Sequence, residues 1–170
     1  MCMQTLIKIL TLFGPILVAI VAIYYSNANS RKQILVNKLE ELFEVIELLR
    51  RYYSILHQLC FFSISDYREG RTSLGQYYVE RDKLLSENDK KQIDIYISRI
   101  EVLAEFYTKR DLKQKLLKHQ DLVYAIRDLV FNGGSIYSAS RYNDKYPVPD
   151  DFYKDVEQLK KAILSKVKVA

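Results

Sequence analysis

Two kinds of apolar pattern divide this chain. Residues 9 to 25 read ILTLFGPILVAIVAIYY, without a single charge. From Leu35 the pattern becomes periodic: Leu35, Leu39, Leu42, Ile46, Leu49, Tyr53, Leu56 and Cys60 alternate steps of four and three. On a helix those steps form a heptad seam. A second row (Val45, Leu48, Tyr52, Ile55, Leu59 and Phe62) lies beside it. The apolar face is therefore broader than a two-stranded coiled coil requires, and it predicts packing inside a bundle. No Gly or Pro falls between Tyr25 and Phe62, so the apolar run and the seam are expected to share one helix.

Shorter periodic segments follow. SISDYREGRTSLG reads as a loop around Gly70, then a short helix near Leu74 to Leu85. Ser86-Glu87-Asn88-Asp89 has the form of a helix cap. It precedes a helix carrying Ile93, Tyr96, Ile97, Ile100 and Leu103, which runs to about Lys109. Another helix carries Leu112, Leu116, Val123, Ile126 and Val130 and stops at Gly133-Gly134, a C-cap signal. A stretch rich in Ser, Asn and Tyr leads to Pro149. Asp150 and Asp151 then open a last helix using Phe152, Val156, Leu159 and Ile163. The expected fold is all-α: one N-terminal transmembrane helix continuing into a cytoplasmic bundle of four to five helices.

Composition supports that class. Of 170 residues 49% are hydrophobic, and only 5 Gly and 3 Pro interrupt them, too few for a many-turned sandwich or barrel. The net charge of +5 is mixed in sign along the chain, unlike a dedicated nucleic-acid binder. Lys160, Lys161, Lys166 and Lys168 gather near the end, where cations suit a helix C-terminus. The 14 tyrosines recur mainly at core spacing, which favours packing over stacking on bases. Cys2 and Cys60 make no disulfide framework. With no CxxC, HExxH, acidic calcium loop or phosphate-binding glycine motif, neither a metal nor a cofactor is expected.

Adding Thr5, Leu6, Ile7 and Lys8 to the uncharged run, with Lys8 near enough to the end to snorkel, reaches the roughly 20 residues that cross a bilayer core. Tyr24 and Tyr25 stand where an interfacial aromatic belt belongs, and Arg31, Lys32 and Lys38 follow. The positive-inside rule places the following domain in the cytoplasm. The expected layout is a transmembrane segment over 1–29 and a helical domain over 30–170, in the inner membrane with a single pass. A cleaved signal peptide ending at Ser26-Asn27-Ala28 is the competing reading; the paired tyrosines and the lone cysteine of the remaining domain argue against it.

Within that run Gln4, Lys8, Thr11, Pro15, Val18, Ala22, Ser26 and Asn29 recur at steps of three and four, so they share a helix face. The face is polar or small. Such faces allow close helix approach or line water. Gln4, Lys8, Thr11, Pro15, Val18 and Ala22 are thus pore-lining candidates in a self-associated protein; an interfacial helix end is the plainer reading.

Candidate chemistry lies in RRYYSILH, residues 50 to 57. On a helix, residues seven apart sit about 20° short of two turns. Arg50, Ser54 and His57 therefore align, while Arg51 projects about 100° away. An arginine holds phosphate and a histidine moves protons around it. The spacing is common by chance, and a histidine beside an apolar face is most often structural.

An arginine, four to six residues and a histidine within a helical bundle resemble the signature of HEPN domains. Here Tyr52 follows Arg51, where HEPN nucleases usually place a polar residue, and the motif falls in the first long helix. With one N-terminal span and a compact helical domain, the architecture is similar to the small membrane accessory proteins of type VI-B CRISPR-Cas systems. That resemblance implies a ring of protomers whose N-terminal helices form an inner-membrane pore, linked to an RNA-guided effector in antiphage defence, with no catalytic residues. Two alternatives stay open. One is a membrane-tethered HEPN ribonuclease using Arg50 or Arg51 with His57 on RNA; the other is a passive membrane adaptor for a soluble partner.

Overall fold

A computed structural model describes the backbone of residues 2–133 and 145–167, and their side chains apart from residues 2–14, 62–65 and 68. Every regular element among these residues is helical. Helix α1 spans Cys2–Gln58 and passes into a π-helical turn, Leu59–Ile64, followed by α2 (Ser65–Arg68). Then come α3 (Leu74–Leu84), α4 (Glu87–Tyr107), α5 (Arg110–Asn132) and α6 (Pro149–Val167). The all-helical expectation holds for the described residues, including the unbroken join of the apolar run to the seam.

The transmembrane part of that expectation does not hold. No helix among the described residues is long and apolar enough to cross a membrane. From Pro15 the apolar stretch ends at Tyr25, and Ser26, Asn27, Asn29, Arg31 and Lys32 follow on the same helix. The transmembrane helix and the single-pass inner-membrane location are corrected accordingly. Residues 2–14 are helical, but their side chains lie outside those described.

Two compact units divide the chain within α1, one ending at Asn37 and the other beginning at Lys38. In the first unit every described position from Pro15 to Ile34 is exposed except the half-buried Ala28.

The second unit is the bundle. Its seam is buried throughout: Leu39, Leu42, Ile46, Leu49, Tyr53, Leu56 and Cys60 are each at most 7% exposed. Helix α5 is central, touching α4, α6 and the π-helical turn. It contributes Leu112, Leu116, Val123, Ile126 and Val130 to the core, facing Ile93, Ile97, Ile100 and Leu103 of α4 and Phe152, Val156, Leu159 and Ile163 of α6. Helix ends are chemically marked. Ser73 with Gln76 and Ser86 with Asp89 form capping boxes for α3 and α4. Gly133 closes α5 at φ 77°, in the left-handed region, and its N–H donates to the Asp128 and Leu129 carbonyls. The expected loop around Gly70 is partly helical: Ser65–Arg68 makes one turn before Gly70 reverses the chain at φ 74°.

Candidate functional site

The expected Arg/His pair sits on α1 inside the bundle. Arg50 is committed to structure. Its guanidinium meets Glu47 at 3.0 Å and Glu157 of α6 at 3.6 Å, and it lies 5.3 Å over the Tyr153 ring. Lys160 completes the cluster, with Nζ 3.0 Å from Glu47 and 2.9 Å from Glu157. Mixed charges here bind α1 to α6 and leave Arg50 little freedom to hold a phosphate.

His57 is committed differently. Its ring stacks on Phe61 at 4.3 Å and approaches Tyr53 at 6.2 Å. Nε2 is sealed from solvent without a hydrogen-bond partner among the described residues. Burial lowers its pKa, which favours the neutral ring. A proton-transfer histidine must reach its substrate, and this nitrogen does not. Arg51 is exposed, as the angular reading places it; Ser54, which that reading aligns with Arg50 and His57, is exposed too. The structure thus puts Arg50 and His57 on the seam's flank, each engaged by packing. Among the described residues no cluster of His, Cys, Asp or Glu is arranged for a metal ion.

Of the pore-lining candidates, Gln4, Lys8 and Thr11 fall among residues whose side chains are not described. Pro15, Val18 and Ala22 are exposed, Val18 by 69%. The faces beside them are equally open: Leu17 and Ile23 are each 61% exposed, Ile20 59% and Tyr24 73%. An apolar surface surrounds this part of α1 on every side. Contiguous apolar exposure on this scale marks an interaction site.

A third feature escaped the sequence reading. A cavity of about 370 Å³ lies between α5, α6 and the chain leading into α6. Lys115, Lys118 and Lys145 rim it, and His119 forms part of its wall. Lys115, Lys118, His119 and Leu122 follow steps of three, one and three, a single helix face that the sequence could have shown. Lys145 and Pro147 come from another part of the chain, and no local pattern announces them. His119 is 5% exposed, its Nε2 has no partner among the described residues, and burial pushes its pKa down to about 4.

No family model, curated protein or solved structure matches this chain. With the membrane span corrected, the likeness to HEPN and CRISPR accessory proteins rests on the helical domain and the RRYYSILH spacing alone.

Proposed function

We propose that the protein is a non-catalytic assembly module, which self-associates through the apolar stretch of α1 and so presents its bundle in several copies. One observation carries this reading: from Ile16 to Tyr25 the large apolar side chains are all exposed, none below 48%. Burying one such side chain is worth about 1.5–3 kcal/mol. Several acting together outweigh the cost of bringing copies of the chain together. A second copy supplies the same apolar surface at the same register, and small residues such as Ala22 permit close approach. The reading keeps the assembly and the lack of catalysis that the family resemblance implies, and it drops the membrane pore.

The test is the mass of purified full-length protein by size exclusion with light scattering, beside the double variant Leu17→Glu with Ile20→Glu. Self-association predicts a multiple of 20.0 kDa for the wild type and a single chain for the variant, with the same helical circular dichroism. A single-chain wild type, or one that partitions into lipid vesicles instead of forming a defined assembly, overturns it.

A further inference from the structure

The cavity beside His119 belongs to no part of the assembly reading. Its rim carries three cations, Lys115, Lys118 and Lys145, against one carboxylate, Asp155. Five other lysines of the bundle are matched: Lys38 to Glu41, Lys90 to Glu87, Lys113 to Glu105, Lys154 to Asp151 and Lys160 to Glu47 and Glu157; Lys83, Lys91, Lys109, Lys161 and Lys166 have no ion pair among the described residues but do not gather at a cavity. The three rim lysines have no ion pair among the described residues, so their positive field is uncompensated at one place.

Beneath the rim the surface changes character. Leu122, Leu159 and the rings of His119 and Phe152 make an apolar wall. The two rings stack, with centroids 5.0 Å apart. Phe152 is held from behind by Tyr53, whose ring lies parallel at 3.5 Å. The wall is thus rigid and aromatic. Within it, Nε2 of His119 is a buried polar atom without a hydrogen-bond partner among the described residues, a condition that calls for an explanation. Pockets of a few hundred Å³ with apolar walls and a few convergent polar groups are the usual form of small-molecule sites.

We infer that this cavity binds a small phosphorylated molecule with a planar body, of mononucleotide size. The rim lysines hold the phosphate as point charges. The planar body lies against the His119 and Phe152 side of the wall. Asp155 and Gln158, also at the cavity, accept from and donate to hydroxyl or amino groups of the ligand.

Isothermal titration of the full-length protein with adenosine monophosphate tests this, with adenosine and inorganic phosphate as separate arms. Saturable binding of the monophosphate at one site per chain is expected, with adenosine and phosphate each weaker by about 10-fold or more. The double variant Lys115→Ala with Lys118→Ala should lose about 10-fold in affinity while keeping its melting temperature, and Lys91→Ala, exposed on α4, should change nothing. The chain has only 2 histidines, so ring-nitrogen NMR separates them. The ligand should move the His119 signals more than those of His57. Equal affinity for adenosine and its monophosphate, unchanged affinity in the lysine variant, an unmoved His119, or no binding in any arm overturns the inference. So does binding of an RNA oligonucleotide without the mononucleotide. None of these outcomes depends on the oligomeric state.

Discussion

Tyr53 and Phe152 stack face to face, their ring centroids 3.5 Å apart and their planes within 3°. The pair joins α1 to α6, and both rings are fully buried. His119 of α5 stacks on the far side of Phe152, so three helices meet in one aromatic column. The Tyr53 hydroxyl donates to the Pro147 carbonyl at 2.8 Å, which fixes the chain entering α6. Removing Phe152 empties the centre of this column. Phe152→Ala should lower unfolding stability by about 3–5 kcal/mol, and Tyr53→Phe, which keeps the ring, by about 1 kcal/mol. Urea denaturation of both variants reads the two effects separately.

His119 makes the bundle sensitive to acid. Its folded pKa, about 4, lies below the ordinary value of 6.5 because burial disfavours the charged ring. Between those values the unfolded chain binds a proton that the folded chain does not. Stability is therefore full above the unfolded pKa and falls as pH drops from 6.5 towards 4, by about 3 kcal/mol in all. His57 is shifted in the same direction and adds to the trend. His119→Phe should flatten most of the slope in a pH series of urea midpoints; an unchanged slope would mean the ring is solvated.

The Arg/His motif should behave as structure. Arg50→Ala loses the partly exposed contacts to Glu47 and Glu157 and should cost up to about 1 kcal/mol. Arg51→Ala, at an exposed position, should stay within about 0.5 kcal/mol of the wild type. Neither change, nor His57→Ala, should alter how the protein treats RNA in a gel assay. Cleavage that disappears with His57→Ala would restore the ribonuclease reading.

Ser86 caps α4 with both its hydroxyl and its backbone. Its side chain accepts from the Asp89 N–H at 3.2 Å, and the Asp89 carboxylate accepts from the Ser86 N–H at 2.9 Å. The carboxylate also accepts from Tyr52 of α1, tying the cap to the bundle. Ser86→Ala should cost about 1 kcal/mol, measured by thermal or urea unfolding.

Periodicity made much of the fold legible. The seam from Leu39 to Cys60 was visible because every member recurs at helical spacing, and the same geometry buries every member. The boundaries at Ser86 and Gly133 were visible because capping chemistry is local. The angular relation of Arg50, Arg51 and His57 was also legible, but their partners were not: Glu157 lies on another helix, and no local spacing encodes it. The N-terminal run was legible as part of the same helix as the seam, but not as a span: no helix among the described residues is long and apolar enough to cross a membrane. The cavity was half visible. Lys115, Lys118 and His119 share a helix face, yet Lys145 and Asp155 join them only through the packing of α6 on α5.

Sedimentation equilibrium of the full-length protein across a dilution series tests self-association through α1 most directly. The account predicts a mass at a whole multiple of 20.0 kDa that falls toward one chain on dilution and is lost in the Leu17→Glu, Ile20→Glu variant. A mass of 20.0 kDa at every concentration, or a multimer that survives both substitutions, would contradict it.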